Sequence, residues 1–127
     1  MQPDTLSEYL NEVDSRVRSL QNCYIEKYEE EILTPHRANL GIRIRFSTGY
    51  LLELNEAVFI NSSGELNHLS YRYHFQDKDN KLIFRYDNAP HFPNLKTFPH
   101  HKHLPNKVTD VPKPTVLEVI DEIKGLV

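Results

Sequence analysis

The chain has 127 residues, 26% of them charged, and a formal net charge of −3 at pH 7. This length fits one domain over residues 1–127, and the near-neutral charge gives no overall signal of nucleic-acid binding. A single cysteine, Cys23, excludes a disulfide framework and a cysteine-rich zinc site. Because there is neither a signal peptide nor an apolar run approaching about 20 residues, we expect a cytoplasmic protein without membrane contact.

An amphipathic helix is the first predicted element, and either Asp4 or Thr5 can cap it. Its apolar residues recur at spacings of three and four: Leu6, Leu10, Val13, Val17 and Leu20. This stripe is expected to pack across a sheet. Since an apolar stripe can also build a dimer, a homodimer stays open as an alternative.

Strands are predicted by alternation and by β-branched or aromatic residues over 22–32, 41–46, 50–60, 66–76 and 82–86. Short turns in this part of the chain make successive strands antiparallel neighbours. A capping box from Thr115 to Glu118 then starts a second helix, which stops near Gly125. The predicted fold class is α+β, with an antiparallel four- to five-stranded meander sheet and an N-terminal and a C-terminal helix packed on one face.

The last predicted hairpin, residues 71–86, separates its side chains onto two faces. One face is apolar: Tyr71, Tyr73, Phe75, Leu82, Phe84 and Tyr86. The other is polar: Arg72, His74, Gln76, Arg85 and Asp87. Keeping the apolar faces together places His74 opposite or diagonal to Arg85. A neighbouring cation lowers the pKa of an imidazole, so His74 should be mostly neutral near pH 7 and able to accept a proton.

The segment from residue 88 to residue 114 is rich in proline and histidine. Its prolines disfavour helix, whereas Phe92, Leu95 and Phe98 can anchor it to the sheet. It also carries a cluster of basic side chains: His91, His100, His101, Lys102 and His103. We therefore expect an ordered loop packed against the sheet.

Residues 71–103, with the sequence YRYHFQDKDNKLIFRYDNAPHFPNLKTFPHHKH, resemble the TumE family of toxins from type II toxin–antitoxin pairs. The runs Arg-Tyr-Asp-Asn-Ala-Pro-His from Arg85 and Pro-His-His-Lys-His from Pro99 carry the likeness. It is weaker over residues 41–58, where Thr48-Gly49-Tyr50 stands at a place that often has Asp-Gly-Ser. The resemblance implies a toxin neutralised by an antitoxin encoded nearby. It assigns no catalytic roles, so the roles below come from side-chain chemistry.

Our first functional hypothesis is a small ribonuclease that needs no cofactor. RNA cleavage requires a base for the 2′-OH, an acid for the leaving oxygen and cations for the phosphate. Candidate catalytic residues are His74, Arg85, Asp87, His91, His101 and His103. His74 is the candidate base, and the acid is left open among His91, His100, His101 and His103. Candidate residues for binding RNA and phosphate are Arg72, Lys102, Tyr86 and Phe92. We expect both His74 and His101 to be exposed.

Two alternatives remain open from the sequence. A divalent ion such as zinc could bind in the histidine-rich loop, because His101 and His103 point to the same side of an extended strand. The candidate ligands are His91, His100, His101 and His103, and Asp87 could also complete such a site. Alternatively, the aromatic and basic loop could be a non-catalytic surface that recognises a partner protein.

Overall fold

The computed structural model describes residues 5–127, so the predicted cap at Asp4 lies outside the described residues. In chain order the elements are α1 (Thr5–Arg18), β1 (Cys23–Thr34), β2 (Arg37–Phe46), β3 (Leu51–Ile60), β4 (Leu66–Gln76), β5 (Leu82–Asp87), β6 (His101–Leu104), β7 (Lys107–Asp110) and α2 (Val116–Lys124). The fold class is α+β, as predicted. Neither helix of this part of the chain is long and apolar enough to cross a membrane.

All the strands form one antiparallel sheet in the order β1-β2-β3-β4-β5-β6-β7. The prediction of four to five strands was wrong, because the segment expected to be a loop contributes β6 and β7. The prolines do not interrupt these strands. Pro99 precedes β6, and Pro105 begins the turn into β7, which are positions where a missing backbone donor does little harm.

Both helices cover the same face of the sheet, as predicted. The apolar stripe of α1 is buried within the chain: Leu6, Leu10, Val13 and Val17 are 1–4% exposed. From α2, Val119, Ile120 and Ile123 enter the same core cluster. An ion pair between Arg16 and Asp121 joins the two helices. The helix stripe that could have built a dimer is therefore used for the core.

The opposite face of the sheet, called the open face below, carries the polar side chains of the central strands. The hairpin register is as predicted, since His74 pairs with Arg85 and Arg72 pairs with Asp87. Strand β6 then extends both rows. The first row continues with His103 opposite Arg85, and the second with His101 opposite Asp87. Strand β6 thus places His101 and His103, which were predicted to lie in a loop, beside the hairpin.

Candidate functional site

Residues of the two cross-strand rows lie side by side on the open face. One row contains His74, Arg85 and His103, and the other contains Arg72, Asp87 and His101. Side chains two residues apart on one strand share a face, so the rows are adjacent. Together these residues form the candidate site.

Asp87, His101 and His103 form a compact cluster within the candidate site. His101 Nε2 lies 2.7 Å from Asp87 Oδ1, and His103 Nε2 lies 3.4 Å from Asp87 Oδ2. The two histidine Nε2 atoms are 3.1 Å apart. Although we expected His101 to be exposed, it is only 1% exposed, because β6 lies between β5 and β7 and the rings of Phe92 and His103 pack on it. Within residues 5–127 this is the one cluster whose ligand atoms converge in a way that suits a metal ion.

Neighbouring groups hold this cluster in place. His101 Nδ1 lies 2.9 Å from the carbonyl oxygen of Pro99, and Asp87 Oδ1 accepts a hydrogen bond of 3.0 Å from the backbone N–H of Ala89. The Phe92 ring packs edgewise on both His101 and His103, with centroid distances of 5.0 and 5.7 Å. Phe92, predicted as a stacking residue for an RNA base, therefore forms a wall of the cluster.

His74, which we expected to be exposed, is half-buried between Arg85 and Gln76. Arg85 Nε donates a hydrogen bond of 3.2 Å to His74 Nδ1, and His74 Nε2 lies 2.8 Å from Gln76 Oε1. Since the first bond requires an unprotonated Nδ1, the neutral ring carries its proton on Nε2. Burial lowers the pKa of His74, the Gln76 bond opposes that shift, and the Arg85 and Arg72 charges lower the pKa further. The predicted direction is thus present, although burial is its largest cause.

Arg72 and Arg85 differ from the arginines elsewhere on the open face. Arg43 and Arg45 each pair with Glu26, at 2.8 and 3.3 Å. In the described part of the chain, no carboxylate lies within 4.0 Å of the guanidinium of Arg72 or Arg85. Two cations without a close counter-charge therefore flank the histidines.

Some predicted site residues are not brought into the candidate site. Lys102 and Tyr86 lie on the helix face, where both bind Glu122 of α2, at 2.9 and 2.7 Å. His100 also lies on that side, with Nδ1 2.8 Å from the Tyr71 hydroxyl. His91 is exposed in the segment between β5 and β6. The predicted metal set of four histidines therefore does not converge, and only His101 and His103 of it belong to the cluster.

Sequence reasoning missed a second buried carboxylate, Glu56, on the helix face. It is 5% exposed and accepts hydrogen bonds from the hydroxyls of Tyr9, at 2.7 Å, and Tyr73, at 2.6 Å. His68 Nε2 is 3.3 Å from Glu56 Oε1 but is not oriented for a hydrogen bond. The alternation of β3 could have revealed it, because Glu56 shares the face of Leu54 and Val58.

A signal for the missed strands was also available. Pro105-Asn106 is a typical turn pair, and it separates His101–Leu104 from Lys107–Asp110. These four-residue runs are short and polar, so alternation alone did not distinguish them from a loop. The consequence for the site is large, because β6 supplies both histidines of the cluster.

Comparison with protein families places the chain in a toxin family. The family model described as Toxin TumE matches residues 13–127, which is nearly the whole chain. Searches of curated proteins and of solved structures found no match. The match includes every residue of the two cross-strand rows.

Proposed function

The chain belongs to the TumE toxin family, and from this premise we propose that it is a toxin that cleaves RNA by acid–base chemistry on the open face. The observation that carries the proposal is the neutral imidazole of His74 held beside Arg85, next to a second unpaired cation, Arg72. A neutral imidazole can accept a proton, and arginine binds phosphate in two-pronged geometry. These are the base and the cations that cleavage at a 2′-OH requires.

In the proposed reaction, His74 Nδ1 takes the proton of a ribose 2′-OH. The 2′-oxygen then attacks the adjacent phosphorus, and the bond from phosphorus to the 5′-oxygen breaks. The products are a 2′,3′-cyclic phosphate and a free 5′-OH. We assign the proton for the leaving 5′-oxygen to the cluster of Asp87, His101 and His103. Arg72 and Arg85 offset the negative charge that develops on the phosphate.

Because of the hydrogen bond from Arg85, His74 can act as a base only after the RNA substrate has bound. Because Arg85 Nε occupies the lone pair of His74 Nδ1, that atom cannot accept a proton until the guanidinium moves. A phosphate is a better acceptor for a guanidinium than a neutral imidazole is. Binding of RNA would draw Arg85 to the phosphate and leave Nδ1 free.

The test is cleavage of a labelled single-stranded RNA by the purified chain, with a matched RNA that has one 2′-deoxy nucleotide at the cleaved position. We expect cleavage of the first RNA, a cyclic phosphate end, and no cleavage at the substituted position. His74→Ala should reduce the rate about 10²- to 10⁴-fold, the range typical of a general base. Circular dichroism should show an unchanged fold, because His74 is only partly buried and does not belong to the hydrophobic core.

Lys102→Met is the matched control, since it removes a cation of the same region from the helix face and should leave cleavage unchanged. Full activity of His74→Ala, or equal cleavage of the 2′-deoxy RNA, would contradict the mechanism. Growth arrest without any RNA cleavage would contradict the ribonuclease activity and favour a toxin that acts by binding a cellular partner.

The family also suggests a cognate antitoxin, and we propose that it is encoded beside this toxin. An antitoxin that neutralises the proposed activity needs to cover the open face or hold Arg85 on His74. Co-expression with the neighbouring gene should restore growth, and the complex should protect the open-face residues from chemical modification of histidine.

A further inference from the structure

We propose that Asp87, His101 and His103 form a binding site for one divalent transition-metal ion of the zinc type. Binding of the ion is inferred from the geometry of the cluster alone. Its role in RNA cleavage, in contrast, rests on the proposed function. Of the ligands considered from the sequence, His101, His103 and Asp87 converge, whereas His91 and His100 are not part of the cluster.

The ligand atoms already stand at nearly the right separations. Zinc with ligands about 2.0–2.2 Å away in tetrahedral geometry keeps neighbouring ligand atoms about 3.3 Å apart. The pair of histidine Nε2 atoms is at 3.1 Å, and His103 Nε2 is at 3.4 Å from Asp87 Oδ2. The contact of 2.7 Å between His101 Nε2 and Asp87 Oδ1 has to open slightly. The two distances to Asp87 run to different carboxylate oxygens, and one ligand atom from each of the three residues lies within 4.8 Å of the others.

The hydrogen bonds of His101 require a positive species at the centre of the cluster. A carbonyl oxygen only accepts, so the contact with Pro99 fixes the proton of His101 on Nδ1. A neutral His101 would then point the bare lone pair of Nε2 at a carboxylate oxygen and at the Nε2 atom of His103. Either an additional proton or a cation relieves this repulsion. Histidine ligands of metal sites commonly donate the other ring N–H to a backbone carbonyl.

The donor set selects the class of ion. Two imidazoles and one carboxylate suit zinc, cobalt, nickel or iron, whereas magnesium and calcium prefer oxygen ligands. Three protein ligands also leave a coordination position for water or substrate, as in catalytic sites. His103 is partly exposed, with 23% of its side chain accessible, so that the site can be reached from the open face. In the proposed cleavage, an ion here would take the place of the cluster's own proton, and a water bound to the ion would supply the proton for the leaving oxygen.

The test is calorimetric titration of the chelator-treated, folded chain with Zn²⁺, followed by Co²⁺ binding measured by visible absorption. We expect one ion per chain. His101→Ala and His103→Ala should each raise the dissociation constant at least about tenfold. If His101→Ala fails to fold, His103→Ala still decides the test, because His103 is partly exposed and its replacement should disturb the fold less.

His91→Ala is the matched control, since it removes an exposed histidine of the same segment and should leave binding unchanged. Absence of stoichiometric binding would overturn the proposal. The positive charge between the three side chains would then come from an additional proton and not from a metal ion. Equal binding by wild type and His103→Ala would also overturn it. Because the titration contains no RNA, its result is independent of whether the chain is a ribonuclease. Zinc binding without RNA cleavage would refute the proposed function and leave the metal site intact.

Discussion

Two buried carboxylates, one on each face of the sheet, are satisfied in different ways. Glu56 on the helix face receives hydrogen bonds from Tyr9 and Tyr73. Asp87 on the open face is approached by His101 and His103. Burial raises the pKa of both tyrosines, and the charge of Glu56 raises it further. The tyrosine hydroxyls therefore stay protonated near neutral pH. An imidazole nitrogen, in contrast, can lose its proton and bind a metal ion instead.

This difference separates a carboxylate that only stabilises the fold from one that can take part in binding or catalysis. Glu56 lies among core residues, and the tyrosine hydroxyls that donate to it keep their protons near neutral pH. Asp87 lies at the junction of β5 and β6, and one of its partners reaches the surface. A buried acid is thus a sign of function only when the groups that satisfy it can change.

The largest effect on stability is expected from Glu56→Ala. The substitution leaves two buried tyrosine hydroxyls without their acceptor, so we expect the free energy of unfolding to fall by about 3–5 kcal/mol. Urea denaturation followed by fluorescence measures this loss. A loss below about 1 kcal/mol would mean that the tyrosines find other partners, and the contrast between the two carboxylates would fail.

Asp87→Ala, the same change on the open face, should have a smaller effect on stability. Because His103 is partly hydrated, water can satisfy part of what the carboxylate leaves, so we expect a loss of about 1–2 kcal/mol. In contrast, the variant should lose Zn²⁺ binding. The same urea and calorimetric measurements compare the two variants, and an equal stability loss for both would remove the distinction.

Acidification should destabilise the open face. Burial lowers the pKa of both His74 and His103, so the folded chain binds fewer protons than the unfolded chain below about pH 6.5. The contribution of these two histidines to the free energy of unfolding should be constant above that pH and fall below it, with a slope of at most about 1.4 kcal/mol per pH unit for each histidine. Urea denaturation at several pH values tests this, and His74→Gln should reduce the slope.

The smallest effect is expected from Tyr86→Phe. Its hydroxyl binds the exposed carboxylate of Glu122, so the loss should remain below about 1 kcal/mol. Because Tyr86 lies on the helix face, RNA cleavage should not change. A tenfold loss of cleavage in this variant would mean that Tyr86 does contact RNA, as predicted from the sequence.

The central hairpin could be predicted from sequence because its information is local. Alternation over β4 and β5 places His74 beside Arg85 and sorts Asp87 onto the same face. The burial of Asp87 could not be predicted in this way. It depends on His101 and Phe92, which come from a segment whose short strands lie between prolines. The cluster is therefore a result of long-range pairing between β5 and β6.

The order of the strands in the sheet has a consequence for synthesis of the chain. Each strand pairs with its neighbour in sequence, so the sheet can grow in the direction of translation, N-terminal part first. Strands β1 to β4 can pair before the ribosome has added His101 and His103. The cluster is completed only when β6 joins the sheet, close to the end of synthesis. A translation product terminated before His101 would contain most of the scaffold and would be inert at this site.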